Sequence, residues 1–397
     1  MAEWNEKSLG EIAEVTKLAG FEFTKYIKYD DDGEIIALRA LNLRNGELDL
    51  SDIKRISKKV SEGLTRSKIY KDDILLTYTG NGYGDCAIIE ENDKYHLAPN
   101  ICKIVPNQDV VFPYYLYCYI RSNAFYNQMS SNMTGSGQPT IPMKTIRLLK
   151  IPVPDMSVQI KIANVIWSLN QKIRNNKVIN NNLEQQAQAI FVNEFLSLQS
   201  LPDGWKKASL IDIANYLNGL AMQKYRPSAE EIGIPVLKIK ELRQGCCDDN
   251  SELCSPSIKS DYIIHDGDVI FSWSGSLLVD FWCGGVCGLN QHLFKVSSIK
   301  YDKWFYYAWT KHHLDRFIAV AADKATTMGH IKRDELAKAE VLIPNEADYK
   351  RIGALLQPIY DLIISNRIEN KKLAETRDSL LPKLMSGEID MSEVDYE

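Results

Sequence analysis

The sequence lacks any apolar run near the ~20 residues that a membrane-spanning helix needs. Its opening, residues 1–15, has neither a basic start nor an apolar stretch, so no secretory signal is expected and the chain is expected to be cytoplasmic. A Walker loop of the form GxxxxGK[ST] is missing, as is an Asp/Asn-Pro-Pro-aromatic motif for amino-group methylation. Gly80-x-Gly82-x-Gly84 is glycine-rich, but its spacing is wrong for a dinucleotide fingerprint. The six histidines, His96, His265, His292, His312, His313 and His330, stand in no triad motif, and no paired-carboxylate-plus-lysine cluster marks a nuclease. None of the eight cysteines forms the paired C-x-x-C spacing of a structural zinc module. Cys283-x-x-x-Cys287 near His292, and Cys246-Cys247 with Cys254, are too irregular to expect a metal. Reduced, buried thiols are the expectation. These absences together point to a chain with no catalytic centre and no cofactor of its own.

What is present is a folded protein. With 45% hydrophobic and 10% aromatic residues, the 397-residue chain is neither disordered nor small enough for one ordinary core. The net charge of −5 argues weakly against a nucleic-acid coat, but binding needs only a local basic surface. Residues 51–71 supply one, with Lys54, Arg55, Lys58, Lys59, Arg66, Lys68 and Lys71 against only Asp52 and Glu62.

The chain contains one unit twice. Trp4-x-x-x-Ser8-Leu9-x-x-Ile12-Ala13 returns as Trp205-x-x-x-Ser209-Leu210-x-x-Ile213-Ala214, after a Pro/Gly punctuation at residues 201–205. Ala37-Leu38-Arg39 returns as Val236-Leu237-Lys238. The run from Asp73 to Gly80, DILLTYTG, returns from Asp268 to Gly275 as DVIFSWSG, and Ile151–Pro154 returns as Val341–Pro344. The short runs ALRALNL, DILLTYTG and LLKIPVP read as β-rich. Residues 113–129 and 303–318 read as helical, their aromatics spaced for a core.

Each copy ends in a long heptad-patterned helix. Positions 162, 166, 169, 173, 176, 180, 183, 187 and 190 hold Ile, Ile, Leu, Ile, Asn, Asn, Leu, Ala and Ile, and positions 352 to 380 repeat the pattern. Such a seam is stable only against another helix. Both seams carry two Asn in the same places, Asn176/Asn180 and Asn366/Asn370. Antiparallel pairing would set Asn176 against Asn370 and Asn180 against Asn366, fixing the register.

In this order the motifs resemble the specificity subunit of type I restriction–modification systems. The carriers are the W-x-x-x-x-L-x-x-I-A openings, the D-[IV]-[LI]-x-[TS]-x-[TS]-G loops, TGSGQPTIP from Thr134, LNQHLFKV from Leu289, and the C-terminal NRIENKKLAETRDSLLPKLMSGEID. The resemblance covers essentially the whole chain. It implies an α+β fold with two similar target recognition domains, separated by two long helices that form an antiparallel coiled coil with pseudo-two-fold duplication. The implied boundaries are 1–154 for the first domain, 155–200 for the first spacer helix, 201–344 for the second domain and 345–397 for the second helix and tail. It further implies that each domain reads one half of a bipartite asymmetric site in double-stranded DNA, while the helices set the spacing. Two methyltransferase subunits, which use S-adenosylmethionine, would dock there, and a restriction subunit would join for cleavage. Alternatives left open are the recognition subunit of a related combined restriction–methylation system and a coiled-coil adaptor between proteins.

Side chains that reach base edges give specificity, whereas cations on phosphates only position the protein. On polar or Gly-rich loops the base-reading candidates of the first domain are Thr77, Tyr78, Thr79, Asn81, Tyr83, Asn100, Ser136, Gln138 and Thr140. Those of the second are Ser272, Trp273, Ser274, Ser276, Asn290, Gln291, His292, Lys324, Thr326, Thr327 and His330. For the Asn and His residues, a role in satisfying local turns is the competing reading. Expected phosphate contacts are Lys54, Arg55, Lys58, Lys59, Arg66 and Lys68, then Lys238, Lys240 and Arg243.

Overall fold

The computed structural model describes residues 4–135, 138–323 and 333–392. The chain divides into two compact units, one of residues 1–171 with 374–397 and one of residues 172–373.

In the first unit an antiparallel sheet runs in the order Ala13–Lys17, Ile101–Pro106, Ile74–Thr77, Cys86–Ile88. A second sheet has the order Lys54–Ile56, Ile35–Leu38, Tyr95–Leu97, Lys68–Ile69, its middle pair parallel. A small ribbon joins Asn5–Ser8 to Lys150–Val153. The second unit repeats all three. Its sheets run Asn215–Asn218, Leu293–Ser297, Val269–Ser272, Leu278–Phe281 and Leu253–Cys254, Ile234–Leu237, Cys287–Leu289, Ile263–Ile264, and its ribbon joins Lys206–Ser209 to Glu340–Ile343. Repetition in sequence is therefore repetition of strand order, down to the parallel pair in each second sheet.

The shared openings are helix starts. Ser8 donates from N and Oγ to Glu11 Oε2, both at 2.6 Å, and Ser209 donates likewise to Asp212 Oδ2 at 2.8 and 2.6 Å. These bonds, the hydroxyl first, hold both carboxyls below their usual range. Behind each cap, Leu9 and Ile12, or Leu210 and Ile213, enter the core of their own unit.

Two readings hold and are sharpened. ALRALNL is not one strand, because it leaves the sheet at Leu38 for a 3₁₀ turn, Ala40–Asn42, in which Asn42 Oδ1 accepts from Arg39 N at 3.0 Å. Each aromatic run is two helices rather than one. Pro113–Ile120 stops before Ser122, whose Oγ accepts from Phe125 N at 3.3 Å and starts Asn123–Ser131, and Lys303–His312 likewise gives way to Leu314–Asp323 at His313. The bend lets both arms bury aromatics: Tyr115 and Phe125 in one unit, Trp309 and Phe317 in the other.

The long helices are Met156–Phe191 and Glu346–Met385. In the second unit Asn176 Nδ2 donates to Asn370 Oδ1 at 2.9 Å, and Asn366 Nδ2 donates to Asn180 Oδ1 at 2.8 Å. Asn370 and Asn180 spend their own amides on the carbonyls of Ile173 and Ile363. The pairing order makes the helices antiparallel. In the first unit Ile162, Ile166 and Leu384 share one core, and Arg377 Nη1 donates to Asn170 Oδ1 at 3.0 Å. Among the described residues no helix is long and apolar enough to cross a membrane.

Three outcomes follow for stability. Asn366→Leu strands the Asn180 carbonyl in a buried layer and should cost roughly 1–3 kcal/mol in urea unfolding. Asn180→Leu with Asn366→Leu should cost less than the two single changes added, since the mismatch is removed. Burial lowers the His313 pKa from 6.5 to about 4, while its Nε2 donates to Glu340 O at 2.8 Å. The native state thus refuses a proton that the unfolded chain takes. The contribution of the neutral ring is whole above pH ~6.5 and fades as pH falls toward about 4. Melting temperature followed from pH 7 to pH 4 should fall less steeply in His313→Gln than in the unaltered chain.

Candidate nucleic-acid interface

In the first unit the strand Ile74–Thr77 opens into a loop whose main chain is held on several sides. Tyr78 N donates to Asn100 O at 3.1 Å and Tyr78 O accepts from Ile141 N at 3.0 Å. Gly80, at φ +89°, donates to Pro139 O at 2.9 Å. The Thr79 and Thr140 hydroxyls bond to each other. The fold therefore gathers Tyr78, Thr79, Asn100, Gln138 and Thr140 from three separate loops. Asn81, Asn100 and Gln138 are exposed, and Tyr83 stacks on Tyr126 at 5.4 Å with a hydroxyl–hydroxyl bond of 2.8 Å.

The second unit builds the corresponding loop from other chemistry. Trp273 Nε1 donates to Asn218 Oδ1 at 2.9 Å, and the Trp273 ring lies 5.6 Å from Phe294 and 6.2 Å from His292. His292 Nδ1 is 3.0 Å from Ser274 Oγ, and Gln291 Nε2 is 3.4 Å from His292 Nε2. Ser276 is exposed beside them.

Several candidates serve the fold instead, among them Thr79 and Ser274, whose buried hydroxyls bond to Thr140 and His292. Thr77 and Ser272 are fully buried because each ends an inner strand of its sheet. Ser272 Oγ donates to Ser276 O at 2.8 Å, and Thr77 Oγ1 has no hydrogen-bond partner among the described residues. Neither can present its hydroxyl to a base edge in this arrangement. Asn290 is buried too, its Oδ1 accepting from His292 N at 3.2 Å, which is the turn-stabilising role. Ser136, Lys324, Thr326, Thr327 and His330 lie outside the described residues.

The cations divide by unit. Arg66 Nη2 donates to Lys17 O at 3.2 Å, and Lys17 holds its ammonium 5.1 Å from the Tyr78 ring, so the basic segment reaches the loop. Lys58 and Lys59 are exposed on the first turn of a helix, where cations are disfavoured by the dipole; Glu34 accepts the Lys58 N–H at 2.9 Å there. Lys54 and Arg55 lie on the strand Lys54–Ile56, and Arg55 donates to Gly33 O at 3.3 Å. Lys68 is 3.8 Å from Asp93. In the second unit Lys238 pairs with Glu252 and Lys240 with Asp248 at 3.0 Å, whereas Arg243 is exposed. Such surface pairs are worth little and can be exchanged for phosphate. Their helix, Ile239–Gln244, borders the loop, since a Cβ on Gly275 would lie 3.7 Å from Ile239 Cδ1.

Several thiols are held protonated by their surroundings. Burial pushes Cys86 and Cys102 up to about 12, and Cys247 and Cys283 up to about 11. Among the described residues no group of three or more His, Cys, Asp and Glu is placed to hold a metal ion.

Lys17, Asn218 and Tyr126 were not legible as site residues. Lys17 and Asn218 occupy the same place after the two repeated openings, but they differ in type. Only the position could have drawn attention to them, through the aligned repeat.

Comparison with known proteins agrees with this duplicated plan. The model of the type I restriction modification DNA specificity domain matches residues 1–185 and again 202–375. The MjaIX type I restriction enzyme specificity subunit of Methanocaldococcus jannaschii is 26% identical over 422 residues, spanning 99% of this chain and 95% of that protein. The HindI specificity subunit of Haemophilus influenzae is 22% identical over 474 residues, spanning 98% and 100%. The crystal structure of a type I restriction–modification S subunit from M. genitalium shares the fold, with a TM-score of 0.59, 13% identity and 96% coverage of both chains. Duplicated sheets, duplicated helices and a domain model that matches twice have one meaning: this chain belongs to the type I restriction–modification DNA specificity family and carries its domain in two copies.

Proposed function

We propose that each unit reads one half of a bipartite, asymmetric site in double-stranded DNA. The observation that carries this reading is the contrast between scaffold and loops. Strand order, helix caps and helix register recur in both units, while the accessible part of the loop after the inner strand carries Tyr78 and Asn81 in one and Trp273 and Ser276 in the other. A frame kept constant under changing loop chemistry suits two readers of different sequences.

The long helices, in this reading, set the gap between the half-sites and dock two methyltransferase subunits, with a restriction subunit joining for cleavage. The chain itself supplies recognition and no chemistry, and S-adenosylmethionine belongs to the methyltransferase. It works in the cytoplasm, where its DNA and partners are.

The decisive measurement maps N6-methyladenine in cells expressing the chain with its cognate methyltransferase. Exchanging residues 1–154 for the first domain of another family member should change one half of the methylated motif and leave the other half and the gap as they were. A motif altered throughout would refute modular reading. For the phosphate contacts, Lys59→Gln or Arg243→Gln should weaken binding to every DNA sequence alike. Each should also lower the slope of log K against log[salt] by about one unit in a fluorescence titration.

A further inference from the structure

Both units bring one polar residue, from the end of the first strand of the four-stranded antiparallel sheet, onto the aromatic that opens the loop. Asn218 ends the strand Asn215–Asn218 and accepts the Trp273 indole N–H at 2.9 Å. Lys17 ends the strand Ala13–Lys17 and sets its ammonium 5.1 Å from the centre of the Tyr78 ring. The two residues stand at the same distance after the repeated openings. The main chain beneath each ring is already fixed, Tyr78 by Asn100 and Ile141, and Trp273 by His292, whose carbonyl accepts from Trp273 N at 3.4 Å. On that fixed main chain the brace bears on how the side chain is turned, and both rings are half-buried.

The two braces leave different chemistry facing outward. An indole has a single donor, so the bond to Asn218 uses it up and leaves Trp273 an apolar edge. A cation over a phenol uses only the ring face, so the Tyr78 hydroxyl keeps its capacity to donate and accept. An apolar edge suits the thymine methyl group, whereas a hydroxyl suits a polar base edge.

Resting on the reading that these loops face DNA, we propose that Lys17 and Asn218 are positioning residues for sequence recognition. Each fixes which surface of its loop aromatic meets the base pairs, and so helps decide what its own half-site must contain.

The test uses the complete chain assembled with its cognate methyltransferase, acting on DNA randomised within both half-sites. Asn218→Leu frees the indole N–H and should relax or switch base preference about tenfold at one position of one half-site. Lys17→Met should do so only in the other half. Asn218→Asp keeps the acceptor and Lys17→Arg keeps the cation, and both should retain the motif even where binding weakens. Asn218→Ala removes the same acceptor with a smaller side chain, and should alter the same position as Asn218→Leu. It stands in if that variant does not fold. The proposal is overturned if folded Leu and Met variants, with unchanged melting temperature, keep the full motif. It also fails if one variant disturbs both half-sites, or if the Leu and Asp variants behave alike. An unaltered complex that methylates no defined motif would strike the DNA-reading function itself, and this proposal with it.

Discussion

Everything in this fold rests on helix pairing between chain segments that are far apart in sequence. The first unit is completed by residues 374–397, and Leu384, Met385 and Met391 are buried in its core beside Ile162 and Ile166. The second unit closes in the same way, with Ile352, Leu356 and Ile363 packed in one core with Ala187 and Phe191. An apolar seam alone would tolerate sliding by a heptad. The paired Asn layers do not, because each shift would bury an amide against hydrocarbon.

The second unit adds charge to that seam. Arg367 bonds Asp280 at 2.6 Å and Glu184 at 2.8 Å, while Phe281 stacks on Tyr307 at 3.8 Å. The first unit is joined differently, with Asn170 donating to the Tyr114 hydroxyl at 3.0 Å and accepting from Arg377. Two copies of one plan have therefore been fastened to their helices by different interactions. Shared backbone topology constrains the strand order but leaves side-chain pairs free to diverge.

Much of the frame was legible in the sequence. Heptad spacing is a one-dimensional signal, and so is a capping motif followed by buried residues, which is why the helices and the repeated openings could be read directly. The Asn layers were visible because they break the apolar pattern at matching places. The loops resisted for the opposite reason. Whether Thr77 faces solvent or core depends on its strand lying inside its sheet, and pairing partners distant in sequence decide that. The Lys17–Tyr78 and Asn218–Trp273 contacts join residues from non-adjacent strands, and no local pattern announces them. The aromatic runs showed their burial but not their bend, because Ser122 looks like any helix-surface serine until its hydroxyl is seen capping the next turn.

The split make-up of the first unit bears on how the molecule is made. Domains ordinarily fold in the order in which they leave the ribosome. Here the first unit waits for residues 374–397, which follow the whole of the second. Residues 5–166 emerge with an apolar face that residues near 384–391 cover in the folded chain. Residues 172–373, by contrast, form the second compact unit from one continuous stretch and can close earlier. Residues 384–391 are thus made long after the strands and helices whose core they complete, and a product that stopped short of them would leave part of that core exposed.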